Sequence, residues 1–116
     1  MTSSGSPYAR FQRALATGNL AVIRAAAAEL PRIGVAEAAA MLLVIGRTEP
    51  EQYERAAVRW IGRLCLVRTR VDLEDLGRAA AALATLRDRP DLARPLLADV
   101  CRRAGLEQAA AVFRLG

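Results

Sequence analysis

Residues 35–46 are apolar around the full circumference of a helix, and this segment constrains the fold more than any other. It reads VAEAAAMLLVIG and carries one charged side chain, Glu37. A helix that is apolar on every side must be covered by other elements. The segment is too short to cross a bilayer, which takes about 20 apolar residues. It therefore predicts the central helix of a bundle whose amphipathic neighbours wrap around it.

The composition of the chain favours helices throughout. The chain has 116 residues, of which 53% are hydrophobic and 4% aromatic. This length suits one domain, and the hydrophobic fraction argues against disorder. We expect an all-α fold, a compact single-domain bundle or short helical array of about six to seven helices. Alanine, the best helix former, occurs in runs at 25–28, 38–40, 79–82 and 109–111.

The polar start of the chain sets the expected domain boundary. Residues 1–6 are expected to be a flexible lead and residues 7–116 the helical domain, because Pro7 suits a first helical turn. Helices 35–46 and 50–68 are expected to be central. Turn and cap signals divide the domain into segments at about 7–17, 20–30, 35–46, 50–68, 72–87, 91–103 and 106–113.

Individual residues mark the predicted helix ends. Gly18 and Asn19 predict a tight turn between the first two helices. Thr48, Asp72 and Asp91 are expected to be the N-caps of the fourth, fifth and sixth helices. With these caps, each helix is joined to the next by a short loop, so sequential helices should be neighbours.

The turn between the first two helices suggests two known arrangements, and both are disfavoured. Residues 14–23 resemble the inter-helix turn of an ankyrin repeat, but no second copy occurs at a fixed period. In a helix-turn-helix, the second helix must present polar side chains to base edges. Here it offers Arg24, Glu29 and alanines, so we predict neither a repeat protein nor sequence-specific DNA binding.

The fourth helix has one inner face and a second apolar strip. Tyr53 and Trp60 share the inner face and are assigned to the core. Val58 and Leu66 lie off that face, so either the helix is contacted on two sides or it exposes an apolar strip. The inner faces of the fifth and sixth helices are expected to include Leu73, Leu76, Leu83, Leu92, Leu96 and Val100. Cys65 and Cys101 are interpreted as buried thiols, and Gly77 as a point of close helix packing.

Arg55, Arg59 and Arg63 are the candidate binding residues, because their spacing of four places them on one ridge of the fourth helix. Guanidinium groups suit carboxylate and phosphate contacts. Glu51 lies four residues before Arg55, an order that favours an ion pair. The alternative interpretation is therefore a solvated face trimmed with ion pairs of little energetic value.

The charge pattern excludes several classes of site. All 17 cations are arginine, the net charge is +5, and histidine is absent. A GC-rich coding sequence alone could explain arginine in place of lysine. Without histidine, Ser-His, Cys-His and most zinc sites are excluded, and capping explains the carboxylates at helix starts. We expect no cofactor and no metal.

These observations predict a non-enzymatic, cytoplasmic protein-interaction module that uses the arginine ridge on helix 50–68. Its partner is expected to be a protein, for which an acidic surface would suit the arginines, or a second copy of the chain through Val58 and Leu66. The alternative is a small basic protein that contacts nucleic-acid phosphates through the same arginines. No membrane-spanning segment is expected.

Overall fold

A computed structural model describes residues 5–67 and 71–115, with a Cα radius of gyration of 14.0 Å. This part of the chain is built from helices and contains no strand, which confirms the all-α prediction. Its helices are α1 (Pro7–Thr17), α2 (Leu20–Ala27), α3 (Val35–Thr48), α4 (Pro50–Leu66), α5 (Leu73–Thr85), α6 (Pro90–Arg103) and α7 (Glu107–Leu115).

Helix α3 is apolar all round because it packs into two separate hydrophobic clusters. Its residues Val35, Ala39 and Leu42 belong to the main core, which α4, α5, α6 and α7 complete. Val44 and Ile45 belong to the N-terminal core, shared with α1 and α2. No residue from 35 to 46 is exposed. The predicted burial of this helix is confirmed.

The inner face of α4 joins three other helices. The Trp60 indole donates a hydrogen bond to the carbonyl oxygen of Val35 (3.1 Å), and its ring meets Phe113 edge to face at 5.5 Å. The Tyr53 hydroxyl donates to the carbonyl oxygen of Leu83 (2.7 Å). Buried Trp and Tyr side chains need such partners for their polar atoms. Their assignment to the core is confirmed.

Of the four predicted N-caps, Asn19 and Asp72 are confirmed, whereas Thr48 and Asp91 are wrong. Gly18 ends α1 with φ 68°, and the N-caps Asn19 and Asp72 accept the expected backbone hydrogen bonds. Thr48 is instead the last residue of α3, where its hydroxyl donates to the Val44 carbonyl, and Glu49 is the N-cap of α4. The hydroxyl is therefore not used to cap α4.

Helix α6 starts one residue earlier than predicted, at Pro90, so Asp91 lies in its first turn and Arg89 is the N-cap. Helix α2 is shorter than predicted and ends at Ala27. Proline at the first helical position costs nothing, because the N–H it lacks would have no intrahelical partner there.

Several large leucines lie outside, contrary to prediction. Leu73 is 87% exposed, Leu92 54% and Leu96 47%. The buried face of α6 instead carries Ala93, Leu97, Ala98, Val100 and Cys101. Small side chains on this face let α6 approach its neighbours closely, and the larger leucines then fall on the outside.

The two cysteines differ. Cys101 is fully buried, as predicted, whereas Cys65 is exposed on α4. Gly77 lies in open space, with no atom within 4 Å of where a Cβ would be, so it is not a point of close packing. Within residues 5–67 and 71–115, no helix has both the length and the apolar character needed to traverse a bilayer.

Candidate functional site

The three candidate arginines all lie exposed on the outward side of α4. Arg63 donates a hydrogen bond to the carbonyl oxygen of Ile33 (2.5 Å), which ties it to the segment before α3. Arg55 and Arg59 form no hydrogen bond or ion pair with any residue of the described ranges. Two of the three guanidinium groups are therefore available to a partner.

The predicted ion pair between Glu51 and Arg55 is not formed within 4.0 Å in the described part of the chain. Glu51 and Glu54 are exposed. The carboxylates lie near the start of α4, and the guanidinium groups follow from Arg55 toward its end. This helix face therefore has an acidic end and a basic end.

Apolar groups lie between these charges. Val58 is 65% exposed and Leu66 85%. Of the two possibilities for the apolar strip on α4, the exposed strip is the one found. Gly62 lies between Val58 and Leu66 along the helix, and no atom lies within 4 Å of a Cβ placed at this position. We call this surface the α4 outer face; it comprises Glu51, Glu54, Arg55, Val58, Arg59, Gly62, Arg63 and Leu66.

A shallow groove runs beside the α4 outer face, between α4 and α5. Its volume is about 240 Å³, and Val58 and Ile61 face Ala80 and Ala84 across it. Small side chains on α5 leave this groove open. It extends the apolar part of the α4 outer face toward α5.

Two arginines of α6, Arg94 and Arg102, make contacts within the described chain. Arg94 donates from Nε to the carbonyl of Phe113 (2.7 Å) and from Nη2 to that of Val112 (3.0 Å). These carbonyls lie in the last turn of α7, where intrahelical donors are lacking. Arg102 pairs with Asp99 at 2.5 Å. Sequence reasoning missed that Arg94 also faces Arg47 and Arg87 across a cleft.

Asp75 is a carboxylate at the start of α5 whose burial the sequence did not predict. It is 3% exposed, and its Oδ1 lies 3.5 Å from Arg78 and 3.8 Å from Arg103, so it links α5 to α6. Its position three residues after the N-cap Asp72 predicts a carboxylate near the helix dipole. Only the packing of α6 against α5 shows that it is buried.

Arg68 and Arg70, which continue the basic pattern in the sequence, lie outside the described residues. Among the residues described, no three potential metal-ligating side chains come together. In comparisons with known proteins, no family model matches the sequence, no curated protein matches it, and no solved structure matches the fold.

Proposed function

We propose that this chain is a non-enzymatic protein-interaction module, that its binding surface is the α4 outer face, and that the surface binds a second copy of the chain. The observation that carries the proposal is the exposure of Val58 and Leu66 between charged side chains that have no ion-pair partner in residues 5–67 and 71–115. Exposed apolar area bordered by polar groups is typical of association surfaces.

The mixed character of this face favours a protein over nucleic acid. A surface for phosphates needs positive charge, and its affinity comes from the counterions released. Glu51 and Glu54 would repel phosphates, and Val58 and Leu66 would gain little from them. A protein surface can bury the apolar groups and pair charges of both signs at its rim.

The charge order along α4 favours a second copy as the partner. In a two-fold symmetric interface, the same patch lies on both copies, so each contact occurs twice. An antiparallel approach of two α4 helices around Val58 places Glu54 of one copy near Arg59 and Arg63 of the other. The open space at Gly62 allows the two helix backbones to approach closely.

The test is sedimentation velocity on the full chain over a range of concentrations at low salt. We expect concentration-dependent dimers. Arg59→Glu should weaken the dimer about tenfold or more, which is about 1.4 kcal/mol. Adding Glu54→Arg to that variant should restore part of the association, because the pair between positions 54 and 59 is exchanged rather than lost, while Arg63 then repels the new cation.

The control variant is Arg102→Glu, which makes the same charge change on α6 and should leave the dimer unaffected. A protein that stays monomeric at all concentrations, with a helical circular dichroism spectrum, rejects the second copy as partner. A salt-sensitive gel shift of duplex DNA that Arg59→Glu abolishes would favour phosphate binding instead. The cytoplasmic location and the single-domain assignment stay predictions.

A further inference from the structure

A second site lies away from the α4 outer face, in a cleft of about 480 Å³ between the end of α3 and the start of α6. We call it the arginine cleft. Guanidinium groups reach it from three segments: Arg47 in α3, Arg87 after α5, and Arg94 in α6. Its apolar lining includes Leu42 and Leu86. The volume is within the range of small-molecule sites, about 300 to 1,000 Å³.

None of these arginines forms an ion pair with a carboxylate of the described ranges. Arg94 uses Nε and Nη2 on the α7 carbonyls. Arg87 lies over the Tyr53 ring, 4.9 Å from its centroid. Arg47 is exposed and makes no hydrogen bond within those ranges. Asp91 also lines the cleft, but its carboxylate accepts hydrogen bonds from Arg89 at 2.9 and 3.2 Å.

The cleft therefore gathers positive charge that no carboxylate of those ranges neutralises. Burial, and then the positive charge of Arg47, lower the pKa of Arg94. A nearby like charge disfavours the charged form of a group, and a counter-charge between the two would favour it. An oxyanion placed between Arg47 and Arg94 would accept charge-assisted hydrogen bonds from both.

Gly46 lets the floor of the cleft pack closely. A Cβ at this position would lie 3.3 Å from Cδ1 of Tyr53 and 3.7 Å from Cγ of Arg87. Because glycine has no side chain, the Tyr53 ring and the Arg87 stem can both lie against α3. The Tyr53 hydroxyl donates a hydrogen bond to Leu83, and the side chain is buried beneath Arg87, so Tyr53 supports the floor of the cleft from inside.

We propose that the arginine cleft binds a small amphiphilic anion, with an oxyanion head on an apolar body. Arg47 and the remaining donors of Arg94 hold the head, and the accessible apolar lining residues Leu43 and Pro90 contact the body. The head is a carboxylate or a phosphate monoester, since the guanidinium fork suits both. This site is independent of self-association through the α4 outer face.

Isothermal titration calorimetry with four probes tests this proposal on the full chain. Octanoate and octyl phosphate carry head and body together, acetate carries the head alone, and octanol the body alone. We expect octanoate, octyl phosphate or both to bind. Acetate and octanol should bind at least about tenfold more weakly, or not at all. The comparison of octanoate with octyl phosphate identifies the preferred head.

Matched variants locate the site. Arg47→Gln should weaken binding of the preferred probe about tenfold, because one charge-assisted contact is lost. Arg32→Gln, which removes the same charge from the exposed segment between α2 and α3, should leave binding unchanged. If Arg47→Gln alters the circular dichroism spectrum, Arg47→Met, which removes the same charge and keeps a long side chain, serves as the test variant.

Three results would each overturn the proposal. Binding of octanol as tight as that of the anions would mean an apolar cavity without anion recognition. Equal weakening by the cleft variant and by Arg32→Gln would show non-specific attraction to a basic protein. Absence of binding by both amphiphilic anions at millimolar concentration would show that no such site exists.

Discussion

At the scale of the residue, burial keeps two ionisable side chains neutral. Burial raises the pKa of the Tyr53 phenol to about 12, although the positive charge of Arg87 acts in the opposite direction. Burial also raises the pKa of the Cys101 thiol to about 11. The nucleophilic form of cysteine is the thiolate, so Cys101 is a packing residue at neutral pH.

Tyr53 should make the stability of the fold fall at alkaline pH. An unfolded tyrosine loses its proton near pH 10, whereas in the folded protein the pKa of Tyr53 is about 12. Between these values the folded state holds the proton more tightly. The free energy of unfolding therefore decreases as pH rises through this window, by at most about 1.4 kcal/mol per pH unit.

Urea unfolding at several pH values, for the wild type and for Tyr53→Phe, measures this effect. At neutral pH the free energy of unfolding of Tyr53→Phe should be about 1 kcal/mol lower than that of the wild type, because the hydrogen bond of the hydroxyl is lost. Above about pH 10 its stability should fall less steeply with pH than that of the wild type. Tyr8→Phe is the control, because Tyr8 is 52% exposed. Parallel pH curves for the wild type and Tyr53→Phe would contradict the assigned burial.

At the scale of the element, α4 has one buried face and one exposed face. One buries Tyr53, Ala57, Trp60 and Leu64, and the other is the α4 outer face. A glycine inside a helix is about 0.5–1 kcal/mol less favourable than alanine. No atom of the described chain lies near enough to Gly62 to require its small size, so packing within one copy does not explain it.

Gly62→Ala should therefore have two opposite effects. It should raise the free energy of unfolding of the monomer by about 0.5–1 kcal/mol, and it should weaken self-association, because a methyl group would separate the two helices. Urea unfolding at low protein concentration and sedimentation velocity measure the two effects.

Gly18→Ala is the matched comparison for the stability effect. It makes the same chemical change at a residue whose φ is 68°, a conformation that alanine adopts only with strain. It should therefore lower the free energy of unfolding by about 1 kcal/mol or more. A destabilised Gly62→Ala monomer would mean that the site is packed within one chain. Unchanged association would count against a close approach of the helices at Gly62.

At the scale of the whole molecule, α3 joins the two cores. The main core and the N-terminal core each bury different residues of this one helix. Loss of either core would expose one side of α3 to water. We therefore expect both cores to unfold in one cooperative transition, as is usual for chains of this size.

Ile23→Ala tests this coupling from the N-terminal core, where Ile23 is fully buried. It should cost about 2–5 kcal/mol of stability. Trp60, the single tryptophan, reports on the main core by fluorescence, while circular dichroism follows all helices. The two transitions should coincide and shift together. If Ile23→Ala leaves the Trp60 fluorescence transition unshifted while circular dichroism shows an earlier loss of helix, the two cores unfold independently.

Local signals in the sequence predicted much of the fold because they depend on near neighbours along the chain. The apolar circumference of residues 35–46 and the turn at Gly18 and Asn19 are of this kind. The signal failed at Thr48, which lies where α3 and α4 follow each other directly. Its hydroxyl can serve either helix, and a local rule cannot choose between them.

The candidate site was only partly predictable for the same reason. The spacing of Arg55, Arg59 and Arg63 placed them on one ridge, but the hydrogen bond from Arg63 to the chain before α3 depends on helix packing. Leu73, Leu92 and Leu96 were placed inside by their helical spacing, whereas the packing of α5 and α6 against their neighbours decides which of their faces is covered.

By itself, the sequence determined which segments are helical and that residues 35–46 had to be covered, because periodicity and apolarity act within a few turns of chain. Only the tertiary structure decided which leucines lie outside, that Asp75 is buried, and that Arg47, Arg87 and Arg94 meet at one cleft. These features depend on contacts between residues distant along the chain, and such contacts exist only once the helices have packed.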